Sequence, residues 1–176
     1  RTNADGAEDF KLVTAPTAAP GKANWRDWVQ HRSGRLILGF IVFARHVARL
    51  EREDGLEQII VTDMETGSEH EVVFDEVAYD LKLVAGDEFD TRTLRFSYSS
   101  PATPERVYDY DMVARTREIR KEQEVPIGHV PADYIVRRLM AKASDSEGVP
   151  VTVLSRTETP INGSAPLLLY GYGAYG

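Results

Sequence analysis

Short segments of alternating polarity recur along most of the chain, and this recurrence limits the fold more than any other feature. In TLRFSYSS (93–100), Leu94, Phe96 and Tyr98 share one face of a strand, and polar residues occupy the other. Turn residues separate such segments and no long helical pattern intervenes, so the sequence predicts antiparallel sheets in a mainly β protein. The other predicted strands of this region are 35–43, 57–63, 68–74, 79–85, 106–113 and 117–125, with Gly67 in the hairpin turn after the second.

Two segments also fit a helix. Phe43, Val47 and Leu50 lie at helical spacing, and a strand is favoured there because the neighbouring segments are strands. The segment 114–124 has the same ambiguity, with a solvated helix as the alternative.

Composition excludes several classes of protein. The net charge of −7 argues against a nucleic-acid partner. The longest apolar run, Leu36–Ala44, is much shorter than the roughly 20 residues that span a bilayer. The chain has no cysteine, so it has no disulfide, thiol nucleophile or thiolate metal site. We therefore expect a cytoplasmic protein without a membrane partner.

The composition changes at 125–131, where VPIGHVP has the prolines and glycine of a linker. Strands are predicted after it at 134–143, 149–156 and 165–173, and the last is apolar enough to be covered on both faces. Three strands without covering helices do not complete an α/β domain, so we expect further chain after Gly176.

The end of the chain contains a dinucleotide-like pattern. Gly171, Gly173 and Gly176 spell G-x-G-x-x-G after a strand-like run. The fingerprint also needs a following helix and an acidic residue about 20 positions later. Neither is present in the sequence, so no dinucleotide or other cofactor is predicted.

The histidines do not form a metal-binding pattern. They are widely separated and none forms an H-x-x-x-H pair, so no metal site is predicted. Each is expected to be a surface or hydrogen-bonded residue. They are His31, His46, His70 and His129.

Other polar candidates have simple structural interpretations. Ser164 precedes a predicted strand in a loop and lacks the G-x-S-x-G context of a nucleophile, so we expect a turn residue. Asp109 and Asp111 share one face of a strand and could bind a basic group, but a solvated hairpin ladder is favoured. The acidic run at 51–57 is expected to be a solvated turn.

Five segments taken in order resemble the oligopeptidase B branch of the prolyl oligopeptidase family of serine peptidases. The similarity extends over essentially the whole chain, and the ordered set is far more specific than any one segment. The segments are EFDTRTLRFSYSSPATPERVYDYD (88–111), EQEVP (122–126), PADY (131–134), GVPVTVLSR (148–156) and APLLLYGYGAYG (165–176).

This resemblance implies a fold and an activity. Residues 1–125 would be about two blades of a seven-bladed β-propeller plus the end of another blade, and residues 126–176 would begin an α/β-hydrolase domain. The parent enzyme would cleave short peptides after Arg or Lys. Tyr172 would donate to the oxyanion of the tetrahedral intermediate, worth on the order of 3 kcal/mol, and Tyr175 would line the pocket for the substrate side chain.

The resemblance places the catalytic Ser, Asp and His beyond Gly176, so this fragment is expected to be inactive. Its partners would be short basic peptides, through the parent enzyme, and the remainder of its own chain. The alternative hypothesis is a β-rich interaction module without catalysis. In either case exposed strand edges predict self-association.

Overall fold

The computed structural model describes residues 1–171. Within that range every element longer than a single 3₁₀ turn is a β-strand, so the mainly β prediction is correct for this part of the chain. No helix in these residues is long and apolar enough to cross a bilayer. The strands are β1 (Leu12–Thr14), β2 (Arg26–Val29), β3 (Arg35–Val42), β4 (His46–Glu53), β5 (Leu56–Asp63), β6 (Glu69–Glu71), β7 (Asp80–Val84), β8 (Thr93–Ser99), β9 (Arg106–Asp111), β10 (Thr116–Glu122), β11 (Tyr134–Lys142) and β12 (Gly148–Arg156). The 3₁₀ turns lie at Ala4–Gly6, Lys22–Asn24 and Pro131–Asp133.

Most strands belong to two four-stranded antiparallel sheets. Strands β3 to β6 form the first sheet and β7 to β10 the second, and in each sheet the strands are neighbours in chain order. This up-and-down order with four strands is that of a β-propeller blade. Two antiparallel pairs, β1 with β2 and β11 with β12, lie before and after these sheets in the chain.

Both segments that also fitted a helix are strands. Strand β4 pairs along its length with β3 and β5, which satisfies its backbone hydrogen bonds on both sides. Ala48 and Leu50 of β4 pack into the core between the sheets, while Arg49 lies on the opposite face. The solvated helix proposed for 114–124 is wrong, because Thr116–Glu122 pairs with β9 as the edge strand of its sheet.

The hydrophobic core lies between the two sheets. Ile59 and Val61 of the first sheet belong to the same buried cluster as Leu94 and Phe96 of the second. These four side chains are fully buried, and each contributes about 1.5–3 kcal/mol to folding. The prediction that alternate residues of 93–100 share a buried face is therefore confirmed.

Tight turns connect the strands where the sequence supplies residues that tolerate positive φ. Gly67, with φ of 70°, lies in the turn between β5 and β6, as predicted. Asp54 and Gly55 have φ of 52° and 72° between β4 and β5. Two successive positive φ values are characteristic of a type I′ hairpin turn, whose twist matches that of the flanking strands.

After the second sheet the chain forms a linker and a hairpin. Residues 123–130 contain no strand, in agreement with the linker prediction, and β11 and β12 then pair over nine residues each. A strand is predicted at 165–173, and the structure describes this segment up to Gly171. The prediction is wrong for that part, because residues 166–171 belong to no strand and their apolar side chains are exposed. No strand within residues 1–171 lies beside this segment to pair with its backbone.

Candidate functional site

The two tyrosines with predicted roles fall beyond the part of the chain that the structure describes. Tyr172 and Tyr175 lie outside residues 1–171, and so do Gly173 and Gly176 of the dinucleotide-like pattern. Gly171 is described and lies in an open segment, with nothing within 4 Å of the position a Cβ would take.

The candidate site that the described residues form is the junction between the two sheets and the β11–β12 hairpin. His129 in the linker is hydrogen-bonded through Nε2 to the carbonyl oxygen of Ala102, at 2.6 Å. Its ring stacks on Tyr134 at the start of β11, with ring centroids 5.1 Å apart. These contacts anchor the start of the hairpin to the loop after β8.

A second contact at this junction involves the turn between β4 and β5. A Cβ atom added to Gly55 would lie 3.1 Å from Cγ of Pro150 in β12 and 3.5 Å from Nη2 of Arg138 in β11. The absence of a side chain at Gly55 therefore allows the hairpin to approach the first sheet. A cavity of about 350 Å³ opens beside this contact, and Tyr79 is part of its wall. Burial raises the pKa of Tyr79, so its phenol stays protonated and able to donate a hydrogen bond.

A buried ionic network lies on the face of the first sheet that points away from the core between the sheets. Arg49 is 2% exposed and donates hydrogen bonds to Glu51 at 2.8 Å, to Thr62 at 2.6 Å and to Glu69 at 2.7 Å. Arg35 forms a further ion pair with Glu51. The hydrogen bond from Arg49 holds the pKa of Glu69 below its usual value. Because buried charges are tolerated only when they are paired, this network fixes how the sheet packs on this face.

The sequence interpretation missed this network and is wrong about part of the acidic run. The segment 51–57 was expected to be a solvated turn, but Glu51 and Glu57 are buried and belong to β4 and β5. The backbone N–H of Leu81 donates to Glu57 at 2.7 Å, which connects the two sheets. The signal that could have identified the network is the alternation of Arg49 and Glu51 within a strand.

The histidines are separated, and no group of three or more potential ligands in residues 1–171 could hold a metal ion. His70 and His129 are hydrogen-bonded as expected, His70 to the hydroxyl of Tyr110 at 2.9 Å. His31 is half-buried, with its Nε2 3.9 Å from Asp9. His46 departs from the expectation, because it is buried and its Nδ1 has no hydrogen-bond partner among the described residues.

The remaining polar candidates have structural roles, as predicted. Arg95 donates two hydrogen bonds to Asp109 across the strand pair, at 2.7 and 2.9 Å, and so lowers the pKa of Asp109. Asp111 accepts two backbone N–H groups in the turn that follows β9. Ser164 lies in an exposed turn, and its hydroxyl donates to Asn162 at 2.6 Å.

Comparisons with known proteins agree with this architecture. The family model described as "Prolyl oligopeptidase, N-terminal beta-propeller domain" matches residues 1–123. Dipeptidyl aminopeptidase BI of Pseudoxanthomonas mexicana is 40% identical, over 100% of this chain and 24% of that protein. Protease 2 of Moraxella lacunata is 26% identical, over 98% of this chain and 24% of that protein.

Solved structures show the same similarity. Oligopeptidase B from Trypanosoma brucei, with covalently bound antipain, superposes with a TM-score of 0.87 at 28% identity, covering 99% of this chain and 26% of that one. Oligopeptidase B from Leishmania major superposes with a TM-score of 0.78 at 28% identity, covering 91% of this chain and 23% of that one. The chain thus spans about a quarter of the length of these relatives. It belongs to the prolyl oligopeptidase family of serine peptidases, and residues 1–123 match the N-terminal β-propeller domain of that family.

Proposed function

We propose that this chain is part of a serine-type oligopeptidase, in which residues 1–125 contribute propeller blades and residues 126–176 begin the α/β-hydrolase domain. The observation that carries the proposal is the superposition on oligopeptidase B, which covers 99% of the chain and so extends past the propeller match into the hairpin. In the parent enzyme the blades would form a wall that limits access to short peptides. We expect that enzyme to be cytoplasmic, which cell fractionation would test.

The proposed substrates are short peptides cleaved after Arg or Lys, in line with the resemblance to oligopeptidase B. A second candidate activity is favoured by one observation. The relative that is 40% identical over the whole chain is named a dipeptidyl aminopeptidase, and this identity exceeds the 28% shared with oligopeptidase B. That name describes release of dipeptides from a free amino end.

Two substrates separate these activities in the intact parent enzyme. An amide substrate with a blocked amino terminus and Arg before the cleaved bond tests the oligopeptidase, and a dipeptidyl amide with a free amino terminus tests the alternative. Preferred turnover of the blocked substrate supports the first proposal, and turnover of only the free dipeptidyl substrate replaces it with the second. Turnover of neither would contradict both.

The 176-residue chain alone is proposed to be inactive, because the resemblance places the catalytic Ser, Asp and His beyond it. Purified chain should hydrolyse the same substrates no faster than buffer. Turnover that copurifies with the chain and is abolished by a serine-directed inhibitor would disprove the proposal.

Tyr172 is proposed to donate its phenolic O–H to the developing oxyanion, and Tyr175 to line the pocket for the substrate side chain. In the parent enzyme Tyr172→Phe should lower kcat by about 10²–10³-fold with little change in KM, because the lost donor acts in the transition state. Tyr170→Phe, two residues earlier, is the matched control and should retain full activity. Equal kcat values for the Tyr172→Phe variant and the parent would show that Tyr172 does not stabilise the oxyanion.

A further inference from the structure

The cavity at the junction collects hydrogen-bond donors from segments that are far apart in the sequence. Ser99 is the last residue of β8 and Ser100 follows it, while Thr152 and Arg138 come from the hairpin. Tyr79 completes the set of lining residues that carry donor groups. Three parts of the molecule therefore meet around one cavity of about 350 Å³: the turn between β4 and β5, the second sheet and the hairpin.

The positively charged guanidinium of Arg138 has an N–H group without an acceptor. Its Nη2 atom is buried and has no hydrogen-bond partner among residues 1–171. A buried guanidinium nitrogen without an acceptor loses its water without compensation, which is costly for a charged group. Arg138 lines the cavity, so an acceptor there would meet its positive charge, although Nη2 itself is closed to a water-sized atom.

Hydroxyl-bearing residues that line the same cavity can donate as well. Oγ of Ser100 accepts the backbone N–H groups of Ala102 and Thr103, at 3.0 and 2.8 Å, so its proton is free to point elsewhere. A Cβ added to Gly55 would lie 3.5 Å from Nη2, so the turn between β4 and β5 packs closely against Arg138. Asp80 also lines the cavity; its side chain is 57% exposed, and its carboxylate lies 3.7 Å from the ammonium of Lys82, which offsets its negative charge.

We propose that this cavity binds a small oxyanion, a carboxylate or inorganic phosphate, with Arg138 as the principal ligand and the hydroxyl groups of Ser100 and Thr152 as supporting donors. A guanidinium beside hydroxyl donors favours anionic oxygens, with which its hydrogen bonds are charge-assisted, and disfavours cations. A bound anion would connect the hairpin to the second sheet directly. The inference does not depend on the peptidase activity proposed above.

Isothermal titration calorimetry of the intact parent protein tests this site. Sodium phosphate, sodium acetate and a short neutral peptide with a free carboxyl terminus are titrated separately, with sodium chloride holding the ionic strength constant. The site predicts saturable binding of at least one of them. The same peptide with an amidated carboxyl terminus should not bind, and this arm separates a peptide carboxylate from an inorganic oxyanion as the source.

Substitutions locate the binding. Arg138→Met keeps the aliphatic stem and should weaken binding by at least about tenfold, because charge-assisted hydrogen bonds are lost. Thr152→Val is nearly isosteric and should weaken binding by about fivefold. Arg137→Met is the matched control, since Arg137 is the neighbouring residue on the opposite face of β11 and lies 3.4 Å from Oγ of Ser155.

Binding to the three variants shows whether the anion occupies the cavity. Saturable binding that is weakened in Arg138→Met or Thr152→Val and kept in Arg137→Met supports it. If Arg138→Met does not fold, Arg138→Lys retains the charge without the planar fork and should still bind more weakly than the parent. Binding that does not saturate with any probe overturns the proposal. So does binding that none of the cavity substitutions alters, or that Arg137→Met weakens as much as they do.

Discussion

Removing Arg49 tests whether the buried ionic network determines the stability of the first sheet. Arg49 and Glu51 are 2% and 1% exposed, and Arg49 makes three hydrogen bonds of 2.6 to 2.8 Å within the network. In Arg49→Met, Glu51 stays buried with Arg35 as its remaining ionic partner. Removing one partner of a buried pair costs about 3–5 kcal/mol. Because Arg35 still compensates part of the charge, we expect about 3 kcal/mol.

Urea unfolding of the 176-residue chain at pH 7 measures this loss through tryptophan fluorescence. The chain contains only two tryptophans, Trp25 and Trp28, and Trp28 lies in the wall of the same cleft as Arg49. For urea m-values of about 1–3 kcal/mol/M, a loss of about 3 kcal/mol lowers the midpoint by roughly 1–3 M. The fluorescence therefore reports unfolding close to the altered residue.

Two further variants decide the mechanism. Arg45→Met is the matched control, because the exposed ion pair of Arg45 with Glu65 is solvated on both sides and its loss should leave the midpoint unchanged. Combining Glu51→Gln with Arg49→Met removes the carboxylate that Arg35 alone only partly compensates, and should restore part of the lost stability. An unchanged midpoint in Arg49→Met, or a double variant no more stable than the single one, would refute the reasoning.

Three other predictions concern acid stability, the junction and self-association. The pKa of Glu69 is lowered in the folded state, so ionised Glu69 contributes to the free energy of unfolding. That contribution is complete above the unfolded pKa of about 4.3 and is lost as pH falls through the folded pKa, so urea midpoints should decrease below about pH 4. Gly55→Ala should destabilise the chain more than Gly67→Ala does, since both have φ near 70° but only Gly55 has Pro150 within 3.1 Å of the added Cβ; equal losses would exclude a role for that contact. The isolated chain should self-associate, and because Leu139 is 52% exposed on the hairpin, Leu139→Ser should reduce the larger species in sedimentation velocity; a monomer at all concentrations would contradict this.

The parts of the fold that could be predicted from sequence depend on local physics. Alternation places Leu94 and Phe96 on one face of β8 whatever the strand pairs with, and positive φ at Gly67 follows from the turn itself. The β4 segment was ambiguous because Phe43, Val47 and Leu50 also fit a helical stripe. Only its pairing with β3 and β5, which depends on distant residues, makes the strand the stable form.

The sequence does not specify that the first sheet is buried on both of its faces. Glu51 was expected in a solvated turn, because charged residues of a half-solvated sheet face water. Both faces of the first sheet are buried near β4, however, and Glu51 is paired there with Arg49. The same reasoning applies to Arg138, which resembles an ordinary strand arginine in sequence. The proposed anion site at Arg138 exists only because the Gly55 turn and the end of β8, dozens of positions away in the sequence, meet it in space. Local patterns therefore determine the strands, while the buried polar groups depend on how the sheets and the hairpin pack together.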